Sequence, residues 1–451
     1  MQIAGSRIAV AGLGQSGLAV AEFLLAKGAR VRVVDSRPLA ELKEIGRAIE
    51  RLGVPFALQS PEAFEGVDAI VISPGVPADL EELEAARRRG VPVLGEVELA
   101  SEFLAGPIIG ITGANGKTTT TALTGHILRE AGIPAQVGGN IGAPVTGMIA
   151  ASRPDQWNVL ELSSFQLETI QRFRAQVAVC LNVTPDHLDR HHTFENYANA
   201  KARLFETQGA GDFAVLNADD ATCLEFGRRT RARTLWFSIT RAVGGGLWAD
   251  QARLYFEGAP FLEIAGIPLR GRHNVENVMG AILVGLAAGL ERDAIVAAVR
   301  EFKALHHRLE PAGTHKGVEY FDDSKATNPG SVIAALRSFE RPIVLIAGGK
   351  AKGTDFAEMG RVVSSRAKAV VLIGEAADEI ARTIKRASVH RAGSMQEAVR
   401  IAASLAVPGD VVLLSPGCAS FDMFQSAEDR GEQFTAAVAG LDGSPLPEHA
   451  R

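Results

Sequence analysis

Cysteine is scarce in this chain of 451 residues, in which Cys180, Cys223 and Cys418 are the only three. They lie far apart and are odd in number, which fits neither a disulfide framework nor a clustered zinc site. A reducing cytoplasm is therefore the compartment that we expect.

Long apolar runs and an excess of positive charge are also missing. No stretch approaches the roughly 18 residues that cross a bilayer. Residues 1–7 lead directly into a strand pattern, so we expect neither export nor a membrane span. The 47 basic residues are outnumbered by 52 acidic ones, and no basic stripe offers counterion release to a nucleic acid. A nucleic-acid partner is therefore not expected.

The composition is that of a globular protein, with 47% hydrophobic and 22% charged residues. Short β-branched runs alternate with helical patterns in three successive stretches, which predicts parallel α/β sheets, and the length suggests about three domains. Strands are predicted at residues 8–11, 31–34, 69–72, 108–111, 158–161, 177–180, 343–347, 369–373 and 411–414. Helices are predicted at about 17–27, 39–52 and 274–290, and β-rich segments follow residue 210.

The strongest local signal is GITGANGKTT at residues 110–119, between an apolar strand and a helical pattern. Glycines let backbone N–H groups close around phosphate oxygens, and the helix N-terminus adds a favourable dipole. Lys117 can reach the β- and γ-phosphates, and a threonine hydroxyl can coordinate Mg²⁺. The strict pattern has a glycine where this chain has Ile111, so the loop is a variant of the phosphate-binding loop.

Two further polar groups follow predicted strands. Glu161 ends one of them, and an acid at the carboxyl end of a buried parallel strand suits Mg²⁺, although it could also be a water-facing residue at a helix start. His187 lies in TPDHLDRHH at residues 184–192. The three histidines of that segment suggest zinc, but cysteines and a helical i, i+4 histidine pair are both missing, so a structural zinc site is the weaker interpretation.

A second glycine pattern, GLGQSG at residues 12–17, follows the first strand, and Asp35 ends the next one. Alone, it fits a dinucleotide site with the pyrophosphate at a helix N-terminus. A redox enzyme has no obvious use for a separate ATP loop, which favours a nucleotide-diphosphate group that anchors a substrate. Glycines that serve only tight packing are the third interpretation.

Together these segments resemble the Mur ligase family, and the likeness runs along nearly the whole chain in order. It rests on residues 110–119, 139–142, 161–164, 186–189, 201, 273–274, 307–308 and 322–329. Residues 73–76 and 414–422 resemble the D-glutamate-adding branch of that family. One departure is Ala427, at a position where we expect a larger aromatic residue beside the amino-acid pocket.

The resemblance implies a three-domain α/β fold. A Rossmann-like domain for a UDP-linked substrate would span residues 1–96, a central P-loop ATPase-type domain 97–302, and a C-terminal Rossmann-like domain for the amino acid 303–451. The implied activity is ATP-dependent addition of D-glutamate to UDP-N-acetylmuramoyl-L-alanine through an acyl phosphate, in peptidoglycan precursor synthesis. ATP and two Mg²⁺ ions are the implied cofactors. Small-molecule partners, a monomeric state and closure of the C-terminal domain over ATP are expected.

The same resemblance assigns roles to single residues. The catalytic candidates are Lys117, His187 and Lys201. The ATP candidates are Gly113, Asn115, Gly116, Lys117, Thr118, Thr119, Asn274, Arg308 and Asp323. The UDP-substrate candidates are Ser16, Asp35, Ser36, Arg37, Asn140 and His187, and the D-glutamate candidates are Lys325, Thr327, Lys352, Ser420 and Phe421. The metal candidates are Thr118, Glu161, His187 and Lys201, the last as a carbamate because an ammonium group cannot bind a cation.

Two alternatives stay open. Another amide ligase, such as the L-alanine-adding ligase or a folylpolyglutamate synthetase, would use the same phosphate loop with a different acceptor or amino acid. An NAD(P)-binding module built on residues 12–17 would bind a nicotinamide nucleotide instead.

Overall fold

The computed structural model describes residues 2–351, 353 and 355–441, which form three sheets. The first sheet has five parallel strands in the order β3-β2-β1-β4-β5. Its strands are β1 (Arg7–Ala11), β2 (Arg30–Asp35), β3 (Phe56–Leu58), β4 (Ala69–Ile72) and β5 (Val93–Gly95). Its helices are α1 (Gln15–Ala26), α2 (Lys43–Leu52), α3 (Glu81–Arg88) and α4 (Glu96–Ser101).

The helix predicted at residues 39–52 is partly wrong. Leu39–Leu42 is a 3₁₀ turn, and α2 starts only at Lys43, whose φ of +48° breaks the regular helical geometry. Strands β1, β2 and β4 match their predictions to within a residue, because each is a short, buried, β-branched run.

The second sheet has nine strands in the order β14-β13-β12-β11-β10-β9-β6-β8-β7. They are β6 (Ile108–Thr112), β7 (Ala135–Gly139), β8 (Trp157–Glu161), β9 (Val177–Cys180), β10 (Phe213–Asn217), β11 (Arg233–Ser238), β12 (Gly246–Ala249), β13 (Arg253–Phe256) and β14 (Ala259–Glu263). The strands from β7 to β12 in that order are parallel, and β13 pairs antiparallel with β12. The helices along this stretch are α5 (Lys117–Glu130), α6 (Val145–Met148), α7 (Ser164–Leu167), α8 (Leu188–His191), α9 (Phe194–Glu206), α10 (Ala221–Arg229), α11 (Arg272–Ala287) and α12 (Arg292–Glu301).

The third sheet has six strands in the order β15-β16-β20-β17-β18-β19, with β15 antiparallel to β16. They are β15 (Glu310–His315), β16 (Val318–Asp322), β17 (Ile343–Gly348), β18 (Ala367–Ile373), β19 (Ser388–Arg391) and β20 (Val411–Leu414). Its helices are α13 (Pro329–Leu336), α14 (Ala357–Arg366), α15 (Ala377–Thr383), α16 (Met395–Leu405) and α17 (Ala427–Ala439). Apolar residues are buried on both faces of this sheet, as a parallel sheet covered by helices requires.

The chain packs as two compact units. The first comprises Met1–Val183, Ala198–Leu262 and Val278–Val299, and the second comprises Thr184–Tyr197, Glu263–Asn277 and Arg300–Arg451. The first unit carries the five- and nine-stranded sheets, and the second carries the six-stranded sheet. None of the helices in the described part of the chain combines the length and the apolar character that a bilayer crossing requires. The predicted α/β class is confirmed, and each of the three predicted stretches of alternating strands and helices forms one sheet. The domain boundaries near residues 96 and 302 stay predictions.

Candidate active site

The phosphate loop lies where the sequence predicts it, between the end of β6 at Thr112 and the start of α5 at Lys117. Strand β6 is flanked by the parallel strands β8 and β9, so the loop leaves the carboxyl edge of the sheet. Gly116 stands immediately before α5 with a φ of +84°, a conformation that glycine adopts without the strain a side chain would cause. The loop is therefore followed directly by the N-terminus of α5, and helix N-termini bind anions favourably.

Two lysine side chains donate hydrogen bonds to the first carbonyl groups of this loop, those of Gly113 and Ala114. The Lys117 ammonium donates hydrogen bonds of 2.9 Å to the carbonyl oxygens of both Gly113 and Ala114. Lys201, on α9, is only 1% exposed and donates to the same Gly113 oxygen at 2.9 Å and to Thr112 Oγ1 at 3.4 Å. A buried ammonium is tolerated only when it is hydrogen-bonded, and the loop supplies these acceptors.

Glu161 ends strand β8 beside this loop. It stands opposite Ile111 on the neighbouring strand β6, one residue before β6 ends. Its Oε1 accepts a 2.8 Å hydrogen bond from the side-chain amide of Asn140. Its Oε2 is buried and has no hydrogen-bond partner among the described residues. Because a buried carboxylate oxygen is ordinarily satisfied, this atom fits the ligand set of a hard cation such as Mg²⁺.

The loop, Glu161 and Lys201 are thus brought together at one edge of the second sheet. Thr118 lies half-buried in the first turn of α5, and Thr119 is buried behind it. All of these residues belong to the first unit, whereas His187 belongs to the second.

A cavity of about 660 Å³ opens over the second glycine pattern, residues 12–17. It is lined by the predicted residues Ser16, Asp35, Ser36, Arg37 and Asn140, together with Gln59, Gln166 and the segments 12–15 and 73–77. The loops after β1, β2 and β4 converge here because parallel strands all end at the same edge of a sheet. The size suits a nucleotide-sized ligand.

Asp35 anchors the wall of this cavity. Its Oδ2 accepts the Leu13 N–H at 2.7 Å, and its Oδ1 accepts the Arg37 N–H at 2.9 Å and the Arg37 Nε at 3.1 Å. Burial would raise the pKa of Asp35, but the hydrogen bonds from Arg37 and Leu13 outweigh it and hold that pKa below the usual range. Asp35 is therefore an anionic residue that holds the backbone of the second glycine pattern at Leu13 and also lines the cavity.

The glycines of the second glycine pattern, Gly12, Gly14 and Gly17, are of two kinds. A Cβ at Gly17 would lie 2.0 Å from the Gly12 carbonyl oxygen, and one at Gly12 would lie 2.5 Å from Val76. Nothing lies within 4 Å of a Cβ at Gly14, which lines the cavity. The packing interpretation thus holds for Gly12 and Gly17, while Gly14 leaves space where a ligand could approach.

In the second unit, His187 precedes α8 with a φ of +54°. Its backbone N–H donates to Asp186 Oδ1 at 2.9 Å, and Asp186 Oδ2 accepts from the Asn328 side chain at 3.0 Å. Because Asn328 also caps α13, the His187 segment is tied to the C-terminal sheet domain.

The second-unit ATP candidates are Asn274, Arg308 and Asp323. Burial raises the pKa of Asp323 to about 7, against the hydrogen bond from Ser415 Oγ and the positive charge of Arg308. Asn274 donates to the Arg270 carbonyl at 2.7 Å and accepts from the Asn277 side chain at 2.9 Å. The positive charge of Arg308 thus favours the ionised carboxylate of Asp323.

Four of the D-glutamate candidates lie on two segments of the second unit, namely Lys325, Thr327, Ser420 and Phe421. The two segments are joined by the hydrogen bond from the Gly417 N–H to the Ala326 carbonyl at 2.8 Å. Lys325 pairs with Glu428 on α17. Ser420 is buried, whereas Phe421 is 72% exposed. Lys352 lies outside the described residues.

Sequence reasoning missed Arg430, a fully buried residue on α17. Its guanidinium donates to Ser324 Oγ at 3.0 Å, to the Ser324 carbonyl at 2.8 Å and to the Cys418 carbonyl at 3.1 Å, so it connects both D-glutamate candidate segments. Burial lowers its pKa to about 10. An arginine in a helical pattern ordinarily faces water, so the sequence contains no signal for this role.

Comparison with known proteins places three family domains along most of the chain. Residues 6–95 match the family described as Mur ligase MurD-like, N-terminal domain, residues 111–285 match the Mur ligase middle domain, and residues 307–418 match the Mur ligase, glutamate ligase domain. Among curated relatives, the UDP-N-acetylmuramoylalanine–D-glutamate ligase of Solibacter usitatus is 54% identical over 443 residues, which cover 98% of this chain and 99% of the relative. That of Koribacter versatilis is 48% identical over 444 residues, covering 97% and 98%.

Solved structures share the fold at low sequence identity. The UDP-N-acetylmuramate-alanine ligase of Thermotoga maritima superposes with a TM-score of 0.60 at 20% identity, covering 97% of this chain and 100% of that one. The MurF ligase of Thermotoga maritima, solved in complex with ADP, gives a TM-score of 0.63 at 17% identity, covering 97% and 96%.

Proposed function

We propose, since the chain belongs to the Mur ligase family, that it joins D-glutamate to UDP-N-acetylmuramoyl-L-alanine at the expense of ATP. Curated relatives that carry this activity in their names align over nearly the full chain. The structural observation that supports the proposal is the position of Asn140. Its side chain lines the cavity and holds Glu161 beside the phosphate loop, so one residue links the nucleotide-substrate cavity to the phosphoryl-transfer edge.

The chemistry follows from the acceptor's carboxylate, which is a poor acylating agent near neutral pH. Transfer of the γ-phosphoryl group of ATP to a carboxylate oxygen gives an acyl phosphate and ADP. The D-glutamate amine then attacks the acyl carbon, the C–O bond to phosphate breaks, and the nitrogen loses a proton as the amide forms. The protein contributes mainly placement and charge neutralisation.

The residues of this chain divide that work. Lys117 would offset charge on the transferred phosphoryl group, and Ser16, Asp35, Ser36 and Arg37 would hold the uridine end of the acceptor. Thr118, Glu161, Lys201 as a carbamate, and His187 would hold two Mg²⁺ ions, which supply positive charge that offsets the phosphates when bound. The unpartnered Glu161 Oε2 supports that ligand set.

The remaining second-unit assignments are Asn274, Arg308 and Asp323 for ATP, and Lys325, Thr327, Lys352, Ser420 and Phe421 for D-glutamate. They stay proposals. A monomeric state, a cytoplasmic location and domain closure also stay predictions from the sequence, and light scattering of the purified chain would measure the first.

An assay of ADP release from ATP tests the function directly. The acceptor UDP-N-acetylmuramoyl-L-alanine is offered with a panel of amino acids, and we expect turnover that depends on both the acceptor and D-glutamate. Reactions without the acceptor control for idle ATP hydrolysis. Turnover with another amino acid in place of D-glutamate, or with a folate acceptor, would replace this proposal with another ligase activity.

Replacing Asp35 by alanine should raise the acceptor KM about tenfold or more and leave the ATP KM within about twofold. The change removes the acceptors for the Leu13 N–H and for Arg37, so the cavity wall loses its shape and charge. Steady-state kinetics with each substrate varied in turn measure both constants.

Asp68→Ala is the matched control, because Asp68 forms an exposed ion pair with Arg7 on the same sheet and does not line the cavity. It should leave both constants unchanged. Tight binding of NADH to the wild type, or a defect of Asp35→Ala in ATP alone, would contradict the assignment of this cavity to the acceptor.

A further inference from the structure

Every carbonyl group of the phosphate loop from Gly113 to Gly116 accepts a hydrogen bond from the protein. The Gly113 and Ala114 oxygens are held by lysines, and the Gly116 oxygen accepts the Thr120 N–H at 3.0 Å as α5 begins. The remaining Asn115 oxygen accepts a bond from a residue outside the loop. A loop that binds anions must keep its carbonyl oxygens away from the phosphates, because those oxygens carry partial negative charge.

That outside residue is Asn182, two positions beyond the end of β9. Its Nδ2 donates to the Asn115 carbonyl at 3.2 Å, and its Oδ1 accepts the Asn115 N–H at 2.8 Å. Its backbone carbonyl accepts the Ala114 N–H at 2.9 Å. Asn182 therefore satisfies both backbone groups of Asn115 with one side-chain amide and holds Ala114 with its own backbone.

We propose that Asn182 is a positioning residue for the phosphate loop. It affects ATP binding by holding the backbone of Ala114 and Asn115 in place. The inference rests on the proposed use of this loop for ATP. By occupying the N–H groups of Ala114 and Asn115, it assigns phosphate binding to the N–H groups of Gly116 and the first turn of α5. It also fixes the tight loop that Gly113, with a φ of +151°, and Gly116 make possible.

The hydrogen bonds from Asn182 should increase the affinity of the loop for ATP by preorganising it. Donors that are already in place cost no reorganisation when charge arrives, whereas a mobile loop must be ordered at the expense of binding. An amide suits this position, because it offers an acceptor oxygen and a donor nitrogen as two separate atoms, one for each backbone group of Asn115. An aspartate has the same shape but would turn a negative oxygen toward the Asn115 carbonyl.

The experiment compares Asn182→Ala and Asn182→Asp with the wild type. Affinity for ATP and for ADP is measured by calorimetry in the absence of acceptor and amino acid, and KM is measured for ATP and for the acceptor. We expect both variants to bind ATP about ten- to a hundredfold more weakly, with the acceptor KM within about twofold of the wild type. The aspartate variant should be at least as weak as the alanine variant.

Asn158→Ala is the matched control. Asn158 is also a buried asparagine, but it stands near the start of β8, at the opposite end of the sheet, where it donates to the Gly106 and Pro107 carbonyls. This control should lower the melting temperature and leave ATP affinity unchanged. Calorimetry needs no turnover, so a wild type that binds ATP but fails to use D-glutamate would refute the proposed function and leave the role of Asn182 intact.

Three results would overturn the role of Asn182. The first is wild-type ATP affinity in Asn182→Ala. The second is wild-type affinity in Asn182→Asp, which would mean that the side chain only fills space. The third is an equal rise of the ATP and acceptor KM values, which would indicate general loosening of the first unit.

Discussion

Replacing Lys117 by alanine is expected to lower kcat by about a thousandfold or more, with the fold intact and the acceptor KM unchanged. Lys117 is the cation of the phosphate loop. Its ammonium lies 2.9 Å from the carbonyl oxygens of Gly113 and Ala114, at the N-terminus of α5. Charge on the transferred phosphoryl group develops at this position in the proposed reaction, so the loss should fall mainly on the chemical step. Single-turnover and steady-state ADP release measure it.

Lys27→Ala is a suitable control for Lys117. Lys27 lies in the same unit, with its ammonium over the rings of Phe23 and Phe103. That variant should keep wild-type turnover. A Lys117→Ala protein that releases ADP at close to the wild-type rate would show that the loop does not serve ATP.

The second large effect concerns Lys201, which we propose acts as a carbamate. The alternative is a buried ammonium that holds the Gly113 carbonyl. A carbamate keeps one N–H on Nζ for that bond and adds an anionic group whose oxygens suit Mg²⁺. Both interpretations predict that Lys201→Ala loses most activity, on the order of a hundredfold, so the alanine variant alone does not separate them.

Chemical rescue separates them. If the site uses an anion, a short carboxylic acid should restore part of the rate of Lys201→Ala, and a short alkylamine should not. Lys201→Arg should fail as fully as the alanine variant, because a guanidinium does not form a carbamate at ordinary pH. The same acids added to Lys117→Ala serve as the control and should have no effect. Rescue by the amine, or an active arginine variant, would assign Lys201 to positive charge instead.

The sequence predicted those features that depend on neighbours along the chain. The strand, loop and helix at residues 108–130 are an example, since an apolar run, a glycine-rich turn and a lysine within ten positions determine the structure and predict an affinity for phosphate. The break at Lys43 was missed because the pattern of residues 39–52 is helical throughout, and only the backbone geometry shows the change from a 3₁₀ turn to an α-helix.

The contacts that the sequence could not give are those between residues far apart along the chain. Lys201 contacts Gly113 across 88 positions, Asn182 contacts Asn115 across 67, and Arg430 contacts Ser324 across 106. Asp35 is similar, because the pattern suggested a nucleotide site and the structure adds that its carboxylate holds the Leu13 N–H. None of these pairings leaves a periodicity or a spacing that can be read locally.

The sequence by itself therefore determined the α/β class, the position of the phosphate loop and, through resemblance, the family. These follow from short-range chemistry: burial patterns repeat every few residues, and a phosphate loop is continuous in the chain. The tertiary structure alone decided the strand order, the cavity over Gly14 and the side chains that hold the phosphate loop in shape. Those features depend on which distant residues meet when the parallel strands align, and that is determined by packing of the whole sheet.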